Sequence, residues 1–246
     1  MTALKNYPLL FIFLLAFISC SSSEIGESKD VNQETIYQEY KIEFNEAEKA
    51  DTVEVWAQFR FAGSDGTTLV LNNPSKIEFD GTAIPVDSNE YRGAFYRFNT
   101  PVKDFFTRHH FTFTNVNNKK YQNDFSFDAF KLLTVPPVAV ATQPLNIPFE
   151  TAPLQADDYI EVNAVNTDSS FTVKFTAADA GNSITIPVNE LQRQKGKELS
   201  LSVVLYRKIP LHEKTKEGGQ IEIFYTLKPV TIKLANTDQY TFLFHP

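Results

Sequence analysis

The sequence predicts an all-β protein: two consecutive β-sandwich domains behind an export signal and a short tether. Three observations lead there. From Asp51 onward apolar residues recur with period two, which sets successive side chains on opposite faces of a strand. Helical periodicity is nearly absent. Turn-forming residues interrupt the alternation roughly every 8 to 12 positions, the rhythm of a sandwich or a barrel.

Composition agrees with this class and excludes others. The chain has 246 residues, 42% of them hydrophobic and 13% aromatic, with a formal net charge of -7. That is too apolar for a disordered chain and too acidic for a binder of nucleic-acid backbone, which needs clustered Lys and Arg. The length suits one or two domains at roughly 100 to 200 residues each, and two are expected. One cysteine rules out an internal disulfide, so burial of apolar surface, with 22 Phe available, must hold each domain together.

The first element is an address. Residues 1–19 run from a basic start at Lys5 through an apolar stretch, Leu9 to Ile18, that is shorter than the roughly 20 residues a membrane span needs. Phe17-Ile18-Ser19-Cys20, followed at once by Ser21, Ser22 and Ser23, resembles the lipobox of bacterial lipoproteins, with Phe17 where the family usually has Leu. The resemblance implies that Cys20 becomes the acylated first residue of the mature chain. The other reading is an ordinary cleaved signal with a chance cysteine or a buried thiol. Removing residues 1–19 takes away Lys5 and moves the formal charge from -7 to -8. Such a surface is not drawn flat onto anionic lipid, so the acyl chains would hold the protein at the membrane.

Residues 20–50 read as the acylated cysteine and a polar, acidic tether whose later half contributes an edge strand at most. Glu24, Glu27 and Asp30 are scattered rather than clustered, which leaves open whether the protein sits on the periplasmic or the surface-facing side of the outer membrane.

The first sandwich is assigned to 51–135. Thr52 to Phe61 places Val55, Ala57, Phe59 and Phe61 on one face, and Glu54, Trp56, Gln58 and Arg60 on the other. Further strands are expected at Ile77 to Phe79, Tyr91 to Phe98, Phe111 to Val116 and Tyr121 to Phe127. The last two flank Asn117-Asn118-Lys119-Lys120, whose paired Asn residues tolerate positive φ and suit a hairpin turn. Pro136-Pro137 removes two backbone donors and sets the boundary.

The second sandwich, 136–246, repeats the pattern at Tyr159 to Ala164, Phe171 to Phe175, Ile184 to Val188, Leu199 to Arg207, Ile221 to Tyr225, Val230 to Leu234 and Tyr240 to Phe244. A single helical turn is expected over Pro187 to Lys195, capped by Asn189, stopped by Gly196, with Leu191 filling the core. Residues Ile184 to Leu234, with the Asn189-Glu190-Leu191 turn and Gly218-Gly219-Gln220-Ile221, resemble the terminal Ig-like domain of uncharacterised Bacteroidota envelope lipoproteins. The resemblance covers about a fifth of the chain. It implies immunoglobulin-like sandwiches and an envelope compartment, and no activity.

Chemistry is sparse. His109 and His110 are adjacent on a strand, so they point to opposite faces and do not readily share a metal; His109 is expected to cap the strand entrance and His110 to face water. There is no HExxH or HxxxH spacing, no GxSxG elbow, no SxxK and no glycine-rich phosphate cradle. Asp157-Asp158 suits a turn better than a glycosidase pair. Asn166-Thr167-Asp168 and Asp179 to Asn182 lack the acid density of a calcium loop. No catalytic residue, metal or cofactor is therefore expected. The one binding hint is the polar face of the first strand, where Trp56, Gln58 and Arg60 offer a ring and hydrogen-bonding groups of the kind sugars use. Tyr91 and Tyr96 would add to it if folding brings their strands alongside. The competing reading is that a lone Trp is simply buried. Lys208 to Gln220 reads as a charged, solvated loop.

The expected role is a non-catalytic module for binding, adhesion or assembly at the cell envelope, held to the membrane by its N-terminal lipid and meeting a glycan or protein ligand. A glycan-binding accessory of polysaccharide uptake and a hydrolase with an unrecognised site are the alternatives.

Overall fold

A computed structural model describes residues 24–89, 91–194 and 198–235. The export signal, Cys20, the stop at Gly196, the strand over Tyr240 to Phe244 and His245 lie outside the described residues.

In chain order the first half holds β1 (Ile25–Glu27), β2 (Ile36–Asn45), β3 (Thr52–Phe61), β4 (Thr68–Val70), β5 (Lys76–Phe79), β6 (Thr82–Ala83), β7 (Val86–Asn89), β8 (Gly93–Pro101), β9 (Arg108–Thr114) and β10 (Lys120–Ser126). The second half holds β11 (Lys131–Leu132), β12 (Val138–Val140), β13 (Leu145–Glu150), β14 (Tyr159–Val165), β15 (Ser170–Thr176), β16 (Ser183–Ile186), β17 (Glu198–Pro210), β18 (Gly219–Thr226) and β19 (Val230–Ala235). Two helical turns interrupt them, α1 (Ala177–Ala180) and α2 (Val188–Gln192). The protein is an all-β sandwich, as its alternation predicts.

One twelve-stranded sheet runs β1-β4-β3-β2-β18-β17-β14-β15 along its main path, with β8 and β7 attached at β3, and β19 and β12 at β17. A four-stranded sheet, β10-β9-β5-β6, covers the first half of its inner face. There Tyr40 stacks on Phe111 at 4.4 Å and Phe59 meets Phe113 at 4.6 Å. A three-stranded sheet, β11-β13-β16, contributes Ile147, Ile184 and Ile186 to the same buried cluster as Ile160, Val162 and Leu201.

The join between the halves is the main departure from expectation. Strands β2 and β18 pair in parallel over eight residues, from Gly219 opposite Gln38 to Thr226 opposite Asn45. The separation expected at Pro136-Pro137 is thus not seen as a break in the sheet. Phe44, Phe127 and Phe130 pack around Tyr225 with centroids at 4.8, 5.6 and 6.0 Å, and a single hydrophobic cluster includes residues from both halves. β11, which precedes the prolines, already pairs with β13.

The tether expected over 20–50 is also corrected. β1 pairs with β4, Ser28 and Gln33 are buried, and β2 lies inside the sheet between β3 and β18 instead of at an edge. β2 alternates strictly: Ile36, Gln38, Tyr40, Ile42 and Phe44 are buried, while Glu39, Lys41 and Glu43 occupy the other face. Its charged outer positions make it look like tether in sequence.

Smaller corrections follow the same logic. The cap of α2 is Pro187 rather than Asn189, whose amide turns to Glu190, although Leu191 fills the core as expected. β13 escapes a sequence reading because Pro148 interrupts it. The proline fits because β11 pairs with β13 only at Phe149 and Glu150, so at Pro148 the neighbour on that side asks only for its carbonyl. The hairpin between β9 and β10 turns as anticipated, with Asn118 at φ 59° and Asn115 Oδ1 accepting from the Asn117 and Lys119 amides.

Candidate functional site

Because the two smaller sheets cover the inner face, the outer face of the large sheet is where the joined halves present a shared surface. Registry decides what lies there. Tyr159 of β14 is opposite Tyr206 of β17, which is opposite Phe224 of β18, and Phe224 is opposite Glu43 of β2. Lys41 of β2 sits between Glu222 of β18 and Trp56 of β3. Five strands therefore contribute to one band.

The band is a row of rings bridged by cations. Tyr159 and Tyr206 have centroids 4.6 Å apart, and Tyr206 and Phe224 5.1 Å. Lys174 Nζ lies 3.3 Å from the Tyr159 centroid, while Lys41 Nζ lies 5.2 Å from Phe224 and 5.5 Å from Trp56. A quadrupolar ring face attracts such a cation. Glu222, although opposite Lys41, is occupied by the Tyr206 hydroxyl at 2.7 Å and the Gln220 amide at 2.8 Å. Burial, and then the Glu222 carboxylate, pushes the Tyr206 phenol above its ordinary value, so the hydroxyl stays a donor.

Two depressions open along the band. One, of about 330 Å³, is lined by Tyr159, Tyr206 and Phe224 with Lys41, Glu43 and Glu161. The other, of about 300 Å³, is lined by Trp56, Gln58, Arg60, Tyr91 and Arg92 with Glu39 and Glu54, and shares Lys41 and Glu43 with the first. Burial raises the Glu39 carboxyl above the ordinary range; nearby Arg60 pulls it down and Glu222 pushes it further up.

The three residues singled out from sequence meet here, each constrained differently. Trp56 is only 7% exposed and stacks near Phe95, so it is no open platform. Its indole N–H is buried and has no hydrogen-bond partner among the described residues. Gln58 is fully committed to the fold, donating to the Arg92 and Ala94 carbonyls at 2.7 and 2.9 Å. Arg60 donates to the Gly66 carbonyl and to Gln58 Oε1, and its Nε, 3.9 Å from Glu39, makes no hydrogen bond among the described residues. Tyr91 joins the depression, whereas Tyr96 points into the core beside Phe59. The Tyr159–Tyr206–Phe224 row is what sequence reading missed. All three were assigned to strands, but no local signal places them side by side.

His109 and His110 are held by the fold. His109 is buried between Phe105 and Phe79, with Nδ1 2.6 Å from Asp80 and Nε2 2.9 Å from the Phe105 carbonyl. Both nitrogens thus face oxygen acceptors, so His109 does more than cap a strand entrance. His110 is partly exposed, with Nδ1 3.3 Å from the same Asp80. Asp158 is buried and faces Arg207 at 3.5 Å, which explains half of the Asp157-Asp158 pair. Asn166 and Asp179 bond within their own turns, to the Asp168 and Ser169 amides and to Thr176. Among the described residues no three His, Cys, Asp or Glu side chains are placed to hold a metal ion. Among the described residues neither depression is lined by His, Cys or Ser.

No protein-family model matches the chain, and no curated protein matches it.

Proposed function

We propose that this protein is a lipid-anchored envelope protein that binds a ligand without transforming it, and that the ligand lies on the outer face of the joined sheet. The observation that carries this is the band itself. A row of half-buried rings, with cations held over them and carboxylates between, spans strands from both halves of the chain. Solvent-facing sheet positions are ordinarily polar; a contiguous aromatic row there marks a surface built for contact. The pairing of β2 with β18 is what makes this row continuous with Trp56.

The anchor belongs to the same proposal. It rests on the lipobox-like Phe17-Ile18-Ser19-Cys20, and on a chain in which no described helix is long and apolar enough to cross a membrane. An acylated Cys20 would hold the protein at the outer membrane, leaving the sandwich in water.

Two measurements test it. Labelled palmitate should enter the wild-type chain but not Cys20→Ala, which should leave the membrane fraction; labelling of neither chain overturns the anchor. Purified Cys20→Ala protein, free of the lipid, should bind isolated envelopes when added back to them, and Tyr206→Ala with Phe224→Ala should weaken that binding. Equal binding by the folded double variant removes the band from the function.

A further inference from the structure

We infer that the short link from Cys20 seats one end of the sandwich against the phospholipid headgroups, so that the strands of the first half run away from the membrane and the second half lies farthest from it. This rests on the lipid anchor proposed above and names the surface that the anchored protein turns to the membrane. The first argument is reach. Glu24 is already part of the fold: its carbonyl accepts from the Thr68 amide at 3.3 Å and from the Thr68 hydroxyl at 3.1 Å, and Ile25 begins β1 opposite Thr68. Glu24 is the fourth residue after Cys20. At roughly 3.3–3.6 Å per residue, such a link spans at most about 14 Å. The headgroup layer takes up about 5–8 Å of that, and what is left is at most about one Debye length of water. The tether expected over 20–50 would have let the body turn freely; a link this short holds one end in.

Strand register fixes which end that is. β1 runs parallel to β4, β4 meets β3 where Arg60 is opposite Thr68, and the next residue, Phe61, is opposite Ile36 at the start of β2. β18 opens beside it, with Gly219 opposite Gln38. The loop before β18 is tied to the same end: the Thr215 hydroxyl donates to the Ile36 carbonyl at 2.6 Å, and the Glu217 amide to the Glu34 carbonyl at 3.3 Å. The hairpin between β9 and β10 joins through the Val116 amide, which donates to Gln33 Oε1 at 3.4 Å, and through Lys119 Nζ, 3.3 Å from Glu34. From this end β2 climbs ten residues, about 30 Å, to Asn45. β17 continues past its pairing with β18 to meet β19 over Glu198 to Leu201, so the second half reaches beyond the far end of β2.

The end so placed carries the chemistry of a zwitterionic interface. Ile25 and Phe61 are 46% and 39% exposed there, and such side chains gain by entering the boundary between headgroups and acyl chains. Lys120, Lys214 and Lys216 are exposed and make no ion pair among the described residues; Glu24, Asp65 and Glu217 at the same end are exposed likewise. The phosphate and amine of a zwitterionic headgroup answer both signs, whereas a strongly anionic layer would meet these carboxylates as like charges.

Fluorescence quenching from the lipid surface tests this seating. The acylated protein would be purified from membranes and reconstituted in vesicles of phosphatidylcholine and phosphatidylethanolamine that carry a nitroxide on the headgroup. Ser64→Cys and Asn117→Cys place a bimane label at the seated end, Glu48→Cys places one at the far end of β2, and Thr167→Cys places one in the turn between β14 and β15. All four positions are exposed, so the variants should melt with wild type, and Cys20, once acylated, takes no label. Emission should be lost from the labels at Ser64→Cys and Asn117→Cys and kept at Glu48→Cys and Thr167→Cys. An insertion of about twelve Gly and Ser residues between Ser23 and Glu24 should restore the lost emission without changing palmitate incorporation. Equal quenching at all four positions, quenching confined to the two far positions, or quenching that the insertion leaves unchanged overturns the inference. Failure of palmitate to label the wild-type chain strikes the anchor, and the seating with it. A labelled, vesicle-bound protein without the expected pattern strikes the seating alone.

Discussion

His109 shows how a polar residue becomes part of an aromatic core. Its ring lies 4.1 Å from Phe105 and 5.2 Å from Phe79, and its nitrogens meet Asp80 and a main-chain carbonyl. Replacing it with Ala leaves a cavity and strips partners from both oxygens, so His109→Ala should lower stability by about 2–4 kcal/mol in denaturant titrations. A change within a few tenths of wild type would mean that the ring is not packed there. Gln58 makes a matching case: Gln58→Ala strands two carbonyls and should cost about 1–3 kcal/mol. Sequence identified Gln58 as a ligand group because its strand position faces outward. It was silent on the turn that brings the Arg92 and Ala94 carbonyls over it.

At the scale of elements, β2 carries the architecture. It pairs with β3 on one side and β18 on the other, and buries Ile36, Tyr40, Ile42 and Phe44. A chain starting at residue 51, which the tether reading would call complete, should therefore fail to give a folded protein by circular dichroism and proteolysis. Survival of a stable fragment would remove β2 from the core. The start of β18 is equally constrained. Gly219 has φ 152°, and a Cβ there would sit 2.0 Å from the Gln38 carbonyl oxygen, where β18 pairs with β2. Gly219→Ala should destabilise by more than about 1 kcal/mol. The outcome should be visible as faster amide exchange along β2 and β18. An unchanged exchange pattern would show that the junction tolerates the extra carbon.

For the whole molecule, a shared sheet and core predict shared melting. Trp56 emission, which reports on the first half, and calorimetric heat absorption should give one coincident transition; two resolved transitions would mean that the halves fold independently. Alkaline pH supplies a second test. Burial raises the Tyr40 phenol above its ordinary value; Tyr225, at the junction, is pushed up to about 12 by burial and then by Glu46. The folded protein thus keeps protons that the unfolded chain releases near the ordinary tyrosine value of about 10. That contribution is complete below about pH 10 and is lost as pH rises toward the folded-state values. Stability should fall with pH above about 10, and Tyr225→Phe should make the fall shallower. The same slope in Tyr225→Phe would exclude this tyrosine as a source.

What the amino-acid sequence settles by itself is local: the all-β class, β3 at its observed limits, most of the other long strands to within a few residues, the Asn118 turn and the buried Leu191. Each follows from alternation or turn chemistry readable within a short window. Which strands become neighbours is set by contacts between residues far apart in the chain, as where the Thr215 hydroxyl bonds the Ile36 carbonyl. That choice turned a polar-looking segment into an interior strand, joined the halves through β2 and β18, and aligned Tyr159, Tyr206 and Phe224 with Lys41 and Trp56. Alternation tells a side chain which face it takes but not whom it stands beside, and only the burial of the whole core selects one register among those the alternation permits.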